Sequence, residues 1–289
     1  MKALKRTLIS FVCLIAVLGI VIVGGYIFVR SKYGIDLFRT AGQLKTLTQT
    51  VDETTLCPNA LNETDFEDLK TYFSGENFTG LVKYDESKGY KGYYTDFAGI
   101  SGGVSSAITL TEKYTGALAQ IMFYEQTGGK IQVGEKELAT TIVQVDFSNI
   151  ADNGSADFNI VVKIDLTPLK DDMSSFPYSL FKKYIPNNLY ISSTIRIDKT
   201  DEYMAYTVSH KQLTINKLSA DDTNDLFHTL DAVLKLGSAE NLNLTIGNTV
   251  ANVLIGNEQN TGFAYSLKAV GKTACGFQAL ETTDAFVIS

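Results

Sequence analysis

Residues 99–103, Gly99-Ile100-Ser101-Gly102-Gly103, spell the Gly-x-Ser-x-Gly string that holds a nucleophilic serine on a strained turn between a strand and a helix. That chemistry needs a helix directly after the serine, whose amides help to hold the oxyanion. Here Gly102 and Gly103 oppose helix initiation and residues 104–110 read as extended, so the string is read as a loop. Ser179-Leu180-Phe181-Lys182 fits Ser-x-x-Lys, which on one helical turn sets the lysine amine beside the serine as its base. Its companion boxes are missing: there is no Ser-Asp-Asn, and Lys272-Thr273-Ala274 is an imperfect third motif. An extracytoplasmic serine hydrolase acting on envelope components, with Ser101 or Ser179 as nucleophile, is therefore carried only as the alternative reading.

Metal and cofactor chemistry find less to work with. His210 and His228 are the two histidines, too few for a three-histidine site, and no cysteine or histidine pair has the close spacing of a zinc centre. Asp171-Asp172 and Asp221-Asp222 read as turn and cap residues, and neither EF-hand spacing nor a phosphate-cradling glycine loop occurs. The expectation is no catalytic residue, no metal and no cofactor. Cys13 reads as a small apolar residue of the N-terminal run, whereas Cys57 and Cys275 could form a disulfide tying the start of the following domain to its end; the sequence does not show whether they pair. Asn62, Asn77, Asn153 and Asn243 each begin an Asn-x-Ser/Thr triplet, which matters only on a eukaryotic secretory route.

The element that positions everything else is at the start. Residues 8–29 form a 22-residue stretch without a charge, preceded by Lys2, Lys5 and Arg6 and followed by Arg30 and Lys32. At about 1.5 Å per residue it spans the roughly 30 Å of bilayer hydrocarbon, longer than the core of a cleaved signal, and Val23-Gly24-Gly25 is a poor cleavage site. The expected organisation is a cytoplasmic N-terminus (1–7), a transmembrane signal anchor (8–29), a juxtamembrane stalk (30–58) and an exported domain (59–289), since a short basic N-terminus ahead of a long domain stays inside. The chain is 45% hydrophobic with a formal charge of −7, which excludes a disordered or fibrous protein. Five of its 25 basic residues and none of its 32 acidic residues lie in residues 1–32, leaving residues 33–289 at −12. So acidic a domain is a poor partner for nucleic acid or other polyanions by overall field.

The domain reads as α+β. A helix is expected from Thr64, capped with Glu67 three residues on, and an aromatic hairpin over residues 78–100. Ile108-Thr109-Leu110 reads as a strand leading through Thr111 and Glu112 into a helix with Leu118, Ile121 and Met122 buried, stopped by Gly128-Gly129. Val143, Val145 and Phe147 alternate with polar residues, as do Phe158, Ile160, Val162, Ile164 and Leu166. Two further strands, Leu189 to Ile197 and Met204 to Ile215, the latter with a bulge at His210-Lys211, complete an antiparallel sheet over residues 141–216. A helix capped at Ser219 carries Leu226, Leu230, Val233 and Leu234. Leu244-Thr245-Ile246 reads as a strand before a helix, a third use of one strand-turn-helix step, and residues 262–288 as alternating fragments completing the sheet.

The anchor, Ile108-Thr109-Leu110-Thr111-Glu112, Val161-Val162-Lys163-Ile164-Asp165-Leu166 and Ile185-Pro186-Asn187-Asn188-Leu189-Tyr190-Ile191 together resemble the membrane-anchored YpmS-like exported proteins of Gram-positive bacteria and, more loosely, tubular lipid-binding domains, over residues 100–220. The resemblance implies a curved antiparallel sheet wrapped on a long helix with an apolar groove, and supplies no catalytic residue. The expectation is a non-enzymatic plasma-membrane protein with its domain outside, binding a lipid-like apolar ligand or an envelope protein partner, and predicts an aliphatic groove on the inner face of the 141–216 sheet.

Overall fold

A computed structural model of the chain describes residues 37–74, 80–97, 106–133, 136–172, 182, 185–200, 204–234 and 237–289. The expected anchor, residues 8–29, lies outside them, and among the described residues no helix is long and apolar enough to cross a membrane. The described residues open with α1 (Leu37–Leu47) and the single turn α2 (Glu53–Leu56), then α3 (Glu63–Tyr72). α3 starts two residues before the expected cap. Asn62 accepts from the Thr64 and Asp65 N–H groups, and the Asp65 carboxylate accepts from the Asn62 N–H at 2.8 Å, a reciprocal box that satisfies amides a helix start would otherwise leave bare. The aromatic segment does form an antiparallel hairpin, β1 (Val82–Tyr84) with β2 (Tyr93–Thr95). β3 (Ile108–Thr111) runs straight into α4 (Glu112–Thr127). The Thr111 hydroxyl caps α4 by accepting from the Tyr114 N–H at 3.2 Å, and Gly128, at φ 69°, ends it in the left-handed conformation glycine adopts without a Cβ penalty.

The next strands form a five-stranded antiparallel meander in chain order: β4 (Lys130–Val133), β5 (Lys136–Ser148), β6 (Ala156–Asp165), β7 (Asn188–Lys199) and β8 (Tyr206–Ile215), with α5 (Thr167–Asp172) in the β6–β7 connection. β4 was not anticipated. Two bulges interrupt the ladder. One, opposite Thr194 and Ile195, leaves Lys211 unpaired, at the expected place. The other, between Ile142 and Gln144, overturns the simple alternation expected of β5: Val145 and Phe147 face the main core, while Val143 packs with Val161, Tyr190 and Cys57 on the opposite, outer face. An extra residue switches the face of every side chain on one side of it, and such a switch is invisible until the pairing strand is known.

α6 (Ala220–Leu234) follows, capped by Ser219, whose hydroxyl accepts from the Asp222 N–H at 3.1 Å. α7 (Ala239–Leu254) is a single helix that absorbs the expected strand at Leu244-Thr245-Ile246. The helical stripe Leu242, Ile246 and Leu254 is buried against the sheet, and Ser238 caps its start by accepting from the Asn241 N–H at 3.1 Å, so burial at helical spacing outweighs the β propensity of three residues. Gly247 lets α7 approach the sheet closely: a Cβ there would stand 2.7 Å from Ile195 Cγ2 and 3.0 Å from Val208 Cγ1. The C-terminal part does not extend the meander. Phe263 and Tyr265 lie in the short helix α8 (Phe263–Ser266), and β10 (Asp284–Ile288) pairs with β3 on one side and β9 (Cys275–Ala279) on the other, in a separate sheet of order β3-β10-β9.

Of the segment expected as a stalk, the described helix α1 packs against the rest of the domain. Leu44 and Leu47 of α1 are buried in the main core, the Asn216 amide donates to the Leu47 carbonyl at 2.7 Å, and Arg39 pairs with Asp222 and Asp225 of α6. Cys57 and Cys275 are free and buried, and no disulfide joins them. They sit in different clusters, Cys57 under the outer face and Cys275 in the main core. Burial, with Glu53 and Asp146 nearby, pushes the Cys57 thiol up to about 11, and burial pushes Cys275 up to about 12, so both are protonated at neutral pH and poor nucleophiles or ligands.

Candidate functional site

The inner face of the meander carries alternate residues of each strand. On β6 these are Phe158, Ile160, Val162 and Ile164; α4 covers this face along β5, and α7 covers it along β7 and β8. Between the two helices, over β6, the packing leaves an apolar cavity of about 460 Å³. Its helical walls follow helical spacing: Leu118, Met122 and Phe123 from α4, and Ile246, Val250 and Val253 from α7. Small side chains, Thr115 and Ala119 on α4, Thr140 on β5 and Thr249 on α7, stand where larger ones would fill it. Its size falls within the roughly 300–1,000 Å³ of small-molecule sites.

Backbone pairings fix the cavity's long axis. Near its start α4 is tied to β5 by Glu112, whose Oε1 accepts from the Phe147 N–H at 2.6 Å. At mid-length Gln120 Oε1 accepts from the Ile142 N–H at 2.6 Å, and just past its end the Gly129 carbonyl accepts from the Thr140 N–H at 2.8 Å. Because Phe147 pairs with Phe158 and Thr140 with Ile164, α4 and β6 run side by side in the same direction. At the Phe158 end the cavity is blind: Phe158 is 1% exposed and its ring lies 5.5 Å from that of Phe147. At the Ile164 end the lining turns polar. Gln126 and Thr127 close α4, and Lys130 and Glu137 face each other across the β4–β5 hairpin with Nζ 2.8 Å from Oε2. Their side chains are 52% and 62% exposed, so this end meets solvent. The hydrogen bond raises the Lys130 amine and lowers the Glu137 carboxyl from their ordinary values.

A polar network also lies on the inner face, away from the cavity lining, centred on a buried amide that is fully paired. Asn243 of α7, wholly buried, accepts from Ser193 Oγ at 2.5 Å and donates to the Thr194 carbonyl at 2.8 Å, with His210 Nδ1 2.7 Å from its amide nitrogen. The outer face is built differently. Asp146 accepts from Gln144 and Asn159, Asn159 accepts from Ser192 and Thr194, and Asn59 reaches across to both Gln144 and Asp146. Beside this ladder, Glu53 of α2 accepts from Lys163 at 2.7 Å and from the Tyr190 hydroxyl at 2.6 Å, strapping residues 51–60, Cys57 among them, over Val143, Val161 and Tyr190. Partial burial alone would raise the Glu53 carboxyl, but these hydrogen bonds prevail and hold it below its ordinary value.

Ser101 and Ser179 lie outside the described residues. His228 is exposed on α6, and His210 serves the Asn243 network. Among the described residues no cluster of three or more His, Cys, Asp or Glu could hold a metal ion. Of the expected features, the aliphatic inner face is present. Sequence reading missed Lys130 and Glu137, although the alternation of Lys130-Ile131-Gln132-Val133 ahead of another strand was a hairpin signal. No protein-family model, curated protein or solved structure matches this chain.

Proposed function

We propose that this is a non-enzymatic protein, anchored in the plasma membrane by residues 8–29, whose extracytoplasmic α+β domain holds a lipid-like apolar ligand between its sheet and the helices α4 and α7. The single observation that supports this reading most is the 460 Å³ cavity. Side chains facing an unfilled apolar void lack packing partners on that side, and an apolar occupant supplies them. The lining has a continuous apolar wall and a polar end, the composition of a site for an amphiphile, and it presents neither a nucleophile next to a base nor a cluster of carboxylates. The resemblance to YpmS-like exported proteins and tubular lipid-binding domains points the same way.

The reading is tested by titrating an apolar, environment-sensitive dye into the protein and into the Ala119→Trp variant, which puts an indole into the space between α4 and β6. The expected result is saturable binding at one site, weakened at least tenfold by the substitution. Equal binding by both proteins would refute it.

A further inference from the structure

Resting on the apolar-ligand reading, we infer that the occupant is a single-chain fatty acid, its hydrocarbon tail laid along β6 with the methyl end at Phe158 and its carboxylate at Lys130. Length comes first. From Phe158 to Ile164 the strand advances about 20 Å at about 3.3 Å per residue, and the α4 wall from Thr115 to Thr127 matches it at about 18 Å. Over that length the floor between the two helices is a single row of β6 side chains, Phe158, Ile160, Val162 and Ile164, the track of one extended hydrocarbon chain.

The head group follows from where charge lies. Among the described residues of the lining, Lys130 and Glu137 are the charged ones, and both stand at the solvent end, away from Phe158. A carboxylate arriving there replaces Glu137 as the partner of the Lys130 amine, and the displaced Glu137, 62% exposed, turns to water without being buried unpaired. Glu137 also selects. Its charge beside Lys130 penalises a doubly charged phosphate head more than a singly charged carboxylate.

The test uses the full chain in its membrane and three photoactivatable probes: a diazirine-bearing palmitic acid, the corresponding alcohol and a diacyl phospholipid with the same labelled chain. Cross-linked peptides are mapped by mass spectrometry. The acid is expected to label peptides from α4 and β6 and to be displaced by unlabelled palmitic acid. Lys130→Gln should cut labelling by the acid at least fivefold and leave the alcohol unchanged, whereas Glu137→Gln should raise labelling by the acid about twofold. Equal labelling by acid and alcohol, indifferent to Lys130→Gln, overturns the carboxylate assignment while the apolar-ligand reading stands. Labelling by the phospholipid as strong as by the acid overturns the single-chain assignment. No cross-link from any probe in the cavity removes both.

Discussion

The two faces of the central meander solve the problem of being covered in opposite ways. On the outer face, polar side chains from adjacent strands hydrogen-bond across the sheet, and residues 51–60 are strapped over what apolar surface remains, with Glu53, Lys163 and Tyr190 as the clasp. On the inner face two helices lie far enough apart that β6 is left facing a cavity. A polar ladder closes a surface because each bond fixes a distance. Aliphatic side chains close one only where their volumes add up, and between α4 and α7 they do not. The outer face is thus finished by the chain itself, and the inner face is completed by something else.

Substitutions can break this contrast. The largest effect is expected for Phe158→Ala at the blind end, where the ring contacts Phe147 and Phe277: a loss of about 3–5 kcal/mol in denaturant unfolding. A loss under 1 kcal/mol would mean that this end is loosely packed and the cavity is not closed there. Next comes a pair of enlargements on the same face. Gly247→Ala, where the new methyl meets Ile195 and Val208, should cost about 1–3 kcal/mol, whereas Ala119→Leu, pointing into the cavity, should leave the ligand-free protein as stable or up to about 1 kcal/mol more stable. Equal penalties would show that the two regions are packed alike. The smallest effect belongs to the outer clasp. Glu53→Gln should cost about 0.5–1 kcal/mol, discounted because the Glu53 side chain is 40% exposed. Its sign with pH is set by the lowered carboxyl: the contribution is present above glutamate's ordinary pKa and is lost as pH falls through the lowered value. The gap between wild type and variant should therefore close in acid, and a gap that widens there would contradict the assignment.

Much of the scaffold was legible because single elements announce themselves. Phe158, Ile160, Val162 and Ile164 alternate, Thr111 and Gly128 bracket α4, and even the bulge at His210-Lys211 shows as a slip in the pattern. What failed depends on partners. The bulge at Val143 needs the register of β6, α7 hides behind three β-prone residues, and α1 looked like a stalk because Leu44 and Leu47 find their burial only in the folded core. The candidate site lay furthest from reach. The lining residues were readable as an apolar face, but a cavity is a volume missing between three elements, and Lys130 meets Glu137 only once β4 and β5 have paired.

The most direct test of a ligand-completed inner face is native mass spectrometry of the domain, residues 33–289, purified without detergent. The account predicts a population carrying one bound lipid per chain that is absent from Ala119→Trp. A bare protein mass in both, with thermal stability unmoved by added palmitic acid, would contradict it.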